Sequence, residues 1–93
     1  MRKPIQRTRI DSSQPEIVEG LRDEGIAVEI IGFPVDLAVK RKEWGLFWML
    51  IECKPEGWTK WSKHQKAQQE FCETHGIPIV KNLAEALAAL EAV

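Results

Sequence analysis

The run Leu46-Phe47-Trp48-Met49-Leu50-Ile51, followed at once by Glu52-Cys53-Lys54, constrains the fold more than any other segment. It is apolar at every position, so the pattern predicts a strand buried on both faces, central in a sheet that helices cover. Side chains in a strand alternate with period two, which sends Glu52 and Lys54 to one face and Cys53 to the other. Ending a buried strand on two charges is costly unless they are paired, hydrated or bound to a metal. Asp36, in Gly32-Phe33-Pro34-Val35-Asp36-Leu37-Ala38-Val39, brings a second carboxylate on another predicted strand.

Around these strands the punctuation reads clearly. A first helix is expected from about Gln14 to Glu24, with Asp11, Ser12 and Ser13 as N-cap candidates, Pro15 in the first turn and Gly25 beyond the end. Its core stripe is Ile17, Val18 and Leu21. Three strands follow, at about Ala27–Ile31, Val35–Lys40 and Leu46–Lys54, the last two joined through Lys42-Glu43-Trp44-Gly45 as a hairpin. Pro55-Glu56-Gly57 ends the third, and Trp58–Trp61 reads as loop. Ser62 caps a second helix that runs to about His75 and stops at Gly76. Ile77–Val80 is a short strand, and Leu83–Leu90 a last helix with Asn82 as its cap. The order α-β-β-β-α-β-α predicts an α/β fold with a mixed sheet flanked by helices.

At 93 residues the chain suits one domain over 1–93, able to bury roughly 60–65% of its unfolded surface. No apolar run approaches the ~20 residues that cross a bilayer. The basic N-terminal arm, residues 1–10, is not followed by an apolar signal-peptide core, so a cytoplasmic protein without a membrane partner is expected. Cys53 and Cys72 have no partner at metal-ligand spacing and read as buried free thiols. His64 and His75 read as exposed helix residues. The formal net charge is −1, yet basic residues concentrate in the arm and between Lys40 and Lys66. Such asymmetry is compatible with one face meeting a polyanion, though charge runs are usually solvated surface. Arg7, Arg9, Lys60, Lys63 and Lys66 are the candidate nucleic-acid contacts. Trp44 and Trp48 read as core or subunit interface, and Trp61 as the apolar residue ahead of a cap. Trp58, interleaved with lysines, is compatible with packing or with stacking on a base.

Two carboxylates and a lysine at a strand end supply what metal-assisted phosphodiester cleavage needs. The carboxylates are oxygen ligands for a hard divalent cation, and the lysine offsets the charge that develops on phosphate. A structural ion-pair network at the sheet end would use the same residues. Glu16, three positions after Ser13, fits either a capping box or a place near a metal.

Taken in order, the motifs resemble those of the stand-alone VRR-NUC nucleases of the PD-(D/E)xK superfamily, small enzymes frequent in phage genomes. The resemblance spans about residues 9 to 90. It runs through Arg9-x-Asp11, Gln14-x-Glu16-Ile17-Val18, Leu21-Arg22, Gly25, Gly32-x-Pro34, Asp36-Leu37, Leu50-Ile51-Glu52-Cys53-Lys54, Trp61-Ser62-x-x-Gln65 and Glu85-Ala86-Leu87. One departure is Val35, which intervenes where the family usually has Pro followed directly by Asp; a bulge is expected to absorb it. The resemblance implies a restriction-endonuclease-like fold and a metal-dependent endodeoxyribonuclease acting on branched DNA such as four-way junctions, as a homodimer, in a bacterial or phage-infected cell. It implies Mg²⁺ or Mn²⁺ held by Asp36, Glu52 and the Cys53 carbonyl, with Glu16 completing or orienting the shell. Lys54 would hold or deprotonate the attacking water, and Gln65 would contact the lysine, a water or DNA. The competing expectation is a nuclease-like module that binds DNA or a protein and does not cleave.

Overall fold

Pro15 sits in the first turn of helix α1 (Gln14–Asp23), where a missing amide costs nothing, and Gly25 leaves the helix at φ +83° while Ile26 donates back to the Leu21 carbonyl. The computed structural model describes residues 13–93. After α1 come β1 (Ala27–Ile30), β2 (Leu37–Lys40), a 3-10 turn (Lys42–Trp44), β3 (Met49–Cys53), a second 3-10 turn (Lys63–Gln65), α2 (Lys66–His75), β4 (Ile79–Val80) and α3 (Leu83–Glu91). The expected order of elements is therefore present. The basic arm, with Arg7 and Arg9, lies outside the described residues.

The sheet order is β1-β2-β3-β4, antiparallel between the first three strands and parallel between β3 and β4. Val28 lies opposite Val39, Leu37 opposite Ile51, and Cys53 opposite Val80. One face of the sheet thus presents Val28, Leu37, Val39, Met49, Ile51 and Cys53 to Ile17, Val18 and Leu21 of α1 and to Ala86 and Leu90 of α3, forming the main core. Each fully buried aliphatic side chain contributes about 1.5–3 kcal/mol by removal from water. Gly20 lets Leu83 of α3 pack close against α1, since a Cβ there would lie 2.5 Å from a Leu83 methyl. The caps behave as their sequences suggest: Gly76 ends α2 at φ +65°, and Asn82 accepts from the Glu85 amide at 2.8 Å.

Several boundaries differ from expectation. Regular β3 begins at Met49, because Gly45 (φ +70°) ends the 3-10 turn and the chain rejoins the sheet late. Leu46, 96% exposed, and its neighbours Phe47 and Trp48 therefore stand outside the core; Phe47 leans on Trp44, which packs against it from the inside. Likewise β2 begins at Leu37, and Val35 is fully buried beyond its end. In the β1–β2 turn the Ile31 and Gly32 amides both donate to the Asp36 carbonyl, two residues leaving β1 against one of the chain entering β2, with Gly32 at φ +76°. The fourth strand shrinks to Ile79–Val80.

Candidate active site

Where β2 and β3 end together, Asp36, Glu52 and Lys54 converge. The Leu37–Ile51 pairing is the last regular rung, so the next residues outward are Asp36 and Glu52. Asp36 is half-buried, and its Oδ2 accepts the Cys53 amide at 2.8 Å. Glu52 and Lys54 donate their amides the other way, to Pro78 and Val80 of the parallel neighbour. The Cys53 carbonyl therefore leaves the strand on the Asp36 side, while its thiol is buried in the core.

Glu52 is 1% exposed and Lys54 is 4% exposed, within the range of the core side chains. The Lys54 ammonium stands 3.3 Å from Glu52 Oε2. Its other side is closed by indoles, with the Trp61 ring centroid at 4.5 Å and that of Trp58 at 5.8 Å. The two indoles meet edge to face at 5.3 Å. Ser13, at the start of α1, donates its hydroxyl to the Lys54 carbonyl at 2.8 Å. The lysine is thus fixed at its amide by β4, at its carbonyl by α1, and at its ammonium by a carboxylate and an aromatic wall.

The electrostatics are unbalanced on the acid side. Burial pushes the Glu52 carboxyl up to about 7, and the neighbouring Asp36 charge adds to the rise while Lys54 opposes it. Burial likewise raises Asp36, against the lowering effects of the Cys53 amide, Glu52 and Lys54. Cys72 of α2 is buried, and burial and then the Glu52 charge raise its thiol. Glu52 Oε1 is buried without a hydrogen-bond partner. A buried carboxylate oxygen with no donor is costly; a divalent cation beside it would supply the missing partner. Two carboxylates, with water and phosphate oxygens in the remaining positions, are a sufficient protein donor set for Mg²⁺.

Other expected participants stand elsewhere. Glu16 is exposed on α1, and among the described residues no group of three His, Cys, Asp or Glu side chains is close enough to hold an ion. The Ser13–Glu16 capping box is not formed either: Ser13 has helical backbone angles in place of an extended N-cap, and its hydroxyl turns to donate to the Lys54 carbonyl. Gln65 turns back on its own helix start, where its Oε1 accepts the Ser62 amide at 3.0 Å in a capping box. Its carbonyl oxygen is therefore engaged locally, and its amide nitrogen is the group left for a water or DNA. Lys60, Lys63 and Lys66 are exposed, Lys66 at 4.0 Å from Glu70. His64 and His75 are exposed, the latter against Phe71. Ser13, Trp61 and Cys72 are additions that motif reading missed. Only the dense placement of Trp58 and Trp61 after a buried lysine hints at the aromatic wall.

No helix among the described residues is long and apolar enough to cross a membrane. No family model, curated protein or solved structure matches this chain.

Proposed function

We propose that the chain is a divalent-metal-dependent endodeoxyribonuclease of restriction-endonuclease-like fold, similar to the stand-alone VRR-NUC enzymes. The observation that carries this reading is the carboxyl pair at the sheet end, Glu52 hydrogen-bonded to Asp36 when protonated and with no other donor facing its buried Oε1, and an ammonium held 3.3 Å from the same Glu52. Replacing a buried ion pair by packed apolar residues is often neutral or stabilising, so stability alone gives little reason for this one. Asp36 and Glu52 would hold Mg²⁺ or Mn²⁺, with the Cys53 carbonyl on the same side. When bound, such an ion polarises a phosphate oxygen and lowers the pKa of its water. Lys54, whose position is fixed from four directions, would orient the attacking water and offset the charge on phosphate as the P–O bond to the leaving strand breaks.

A homodimer belongs to the same proposal. Leu46, Phe47 and Trp48 form a continuous exposed apolar segment, chemistry suited to a second copy across a twofold axis. Two related sites would then address two strands. Light scattering at micromolar concentration checks the mass; a monomer removes this part of the proposal.

The test is cleavage of labelled linear duplex, single strand, flap and four-way junction with Mg²⁺, Mn²⁺ or EDTA, by wild type and Lys54→Ala. Metal-dependent cutting that the variant loses supports the enzyme, and the preferred substrate identifies the task. A folded wild type that binds DNA equally with and without metal, and never cuts, supports the non-catalytic module. The full burial of Val35 at the sheet end is compatible with either outcome.

A further inference from the structure

A groove of about 320 Å³ runs between the β1–β2 turn that leads into Asp36 and the start of α2, walled by Phe33 and Pro34 on one side and by Gln65, Gln68 and Phe71 on the other. We infer that this groove receives one unpaired nucleobase of the DNA strand being cut, an inference that rests on the nuclease reading above. Its location comes from the turn: Phe33 and Pro34 precede Asp36 by three and two residues, so one wall of the groove is the segment that leads into the site.

Its chemistry favours a base over an apolar peptide. Phe33 is 85% exposed, so a large planar face is presented to whatever enters, while the Phe71 ring is steadied by His75 at 4.6 Å. Aromatic side chains of this kind stack on bases irrespective of identity. Gln68, His64 and the amide nitrogen of Gln65, whose Oε1 is engaged, offer donors and acceptors to a base edge. No acid lines the groove, and Lys63 and Lys66 stand exposed at the start of the same helix, suited to the phosphates on either side. A paired base cannot present its face there; it must leave the stack. The substrate class this selects is DNA with an unpaired base next to the scissile phosphate.

The experiment places 2-aminopurine as the unpaired base in a single-stranded segment beside a duplex, with Ca²⁺ in place of Mg²⁺. Fluorescence and affinity are read for wild type, Phe33→Ala and Phe33→Trp, and each protein's mass is taken by light scattering. Phe33 lies outside the core, so the alanine variant is expected to fold. The expected result is a roughly 5- to 100-fold loss of affinity in Phe33→Ala on the unpaired substrate, the range that stacking on one aromatic face supplies. The fluorescence change should vanish with it, affinity for fully paired duplex should hold, and Phe33→Trp should restore binding. An equal loss on paired duplex, or none on either, overturns the inference. So does a Phe33→Ala variant that changes mass and leaves the fluorescence response intact, which would assign the groove to a second copy of the chain. Cutting with Mg²⁺ is followed in parallel. Cutting without any Phe33 effect removes the base site alone; Phe33-dependent base binding without cutting under any metal removes the nuclease reading alone. Neither binding nor cutting removes both.

Discussion

Replacing Glu52 by glutamine separates a metal site from a structural ion pair by the sign of a stability change. Glu52 is 1% exposed and its carboxyl is raised from 4.5 to about 7. Between those values the folded chain holds a proton that the unfolded chain has released. Stability therefore falls as pH rises from below 4.5 through about 7. At roughly 1.4 kcal/mol per pH unit, the ionised carboxylate costs about 3 kcal/mol above pH 7. Glutamine has the shape of the protonated acid and no charge to bury. In metal-free buffer at pH 8, Glu52→Gln should be about 3 kcal/mol more stable than wild type, and at pH 4.5 nearly equal. For a domain of this length that amounts to a rise in Tm on the order of 10 °C. Urea titrations at both pH values, with EDTA and then with Mg²⁺, read the effect. Added Mg²⁺ should stabilise wild type and leave the variant unchanged. If Glu52 instead serves to neutralise Lys54, breaking the pair leaves a buried ammonium and costs about 3–5 kcal/mol. A variant less stable than wild type at pH 8 in EDTA would refute the reasoning.

Other predictions concern the walls of the site and the caps. Trp61→Ala removes the nearer indole from Lys54 and should lower stability by about 1–3 kcal/mol through lost packing and cation–π attraction. It should depress kcat at little change in KM, with Trp61→Phe recovering most of the loss; a KM effect alone would place Trp61 on the substrate. Cys72, buried with a raised thiol, should react with maleimide or iodoacetamide far more slowly in the native protein than in urea, as followed by mass spectrometry. Asn82→Ala deletes the acceptor at the start of α3 and should cost about 1 kcal/mol in a urea titration.

Much of the frame is legible in local chemistry. Gly25, Gly76 and Asn82 mark helix ends because their roles depend on backbone conformation within a few residues. Glu52 and Lys54 mark a candidate site by standing at the end of an apolar run, and period two puts them together on one face, where they form an ion pair. The start of β3 was not legible in the same way. A continuous apolar run has no alternation to show which residues join the sheet, and Leu46–Trp48 leave it behind Gly45. Gln65 illustrates a different limit of pattern: the Ser62-x-x-Gln65 spacing that suits a site is also the spacing of a capping box, and the cap takes the oxygen. Ser13 shows the converse, a residue expected to cap its own helix that bonds a strand 41 positions away. That partner, like the Trp61–Lys54 contact, is set by tertiary packing and leaves no periodic trace in the chain.

The most direct test of the account is Mn²⁺ binding, measured by electron paramagnetic resonance or calorimetry on wild type, Asp36→Asn and Glu52→Gln at neutral pH. The account predicts saturable binding by wild type, loss of it in both variants, and competition by Mg²⁺. Binding that both variants retain, or a folded wild type that binds no Mn²⁺ with or without DNA, would contradict it and leave Asp36, Glu52 and Lys54 as a structural ion network.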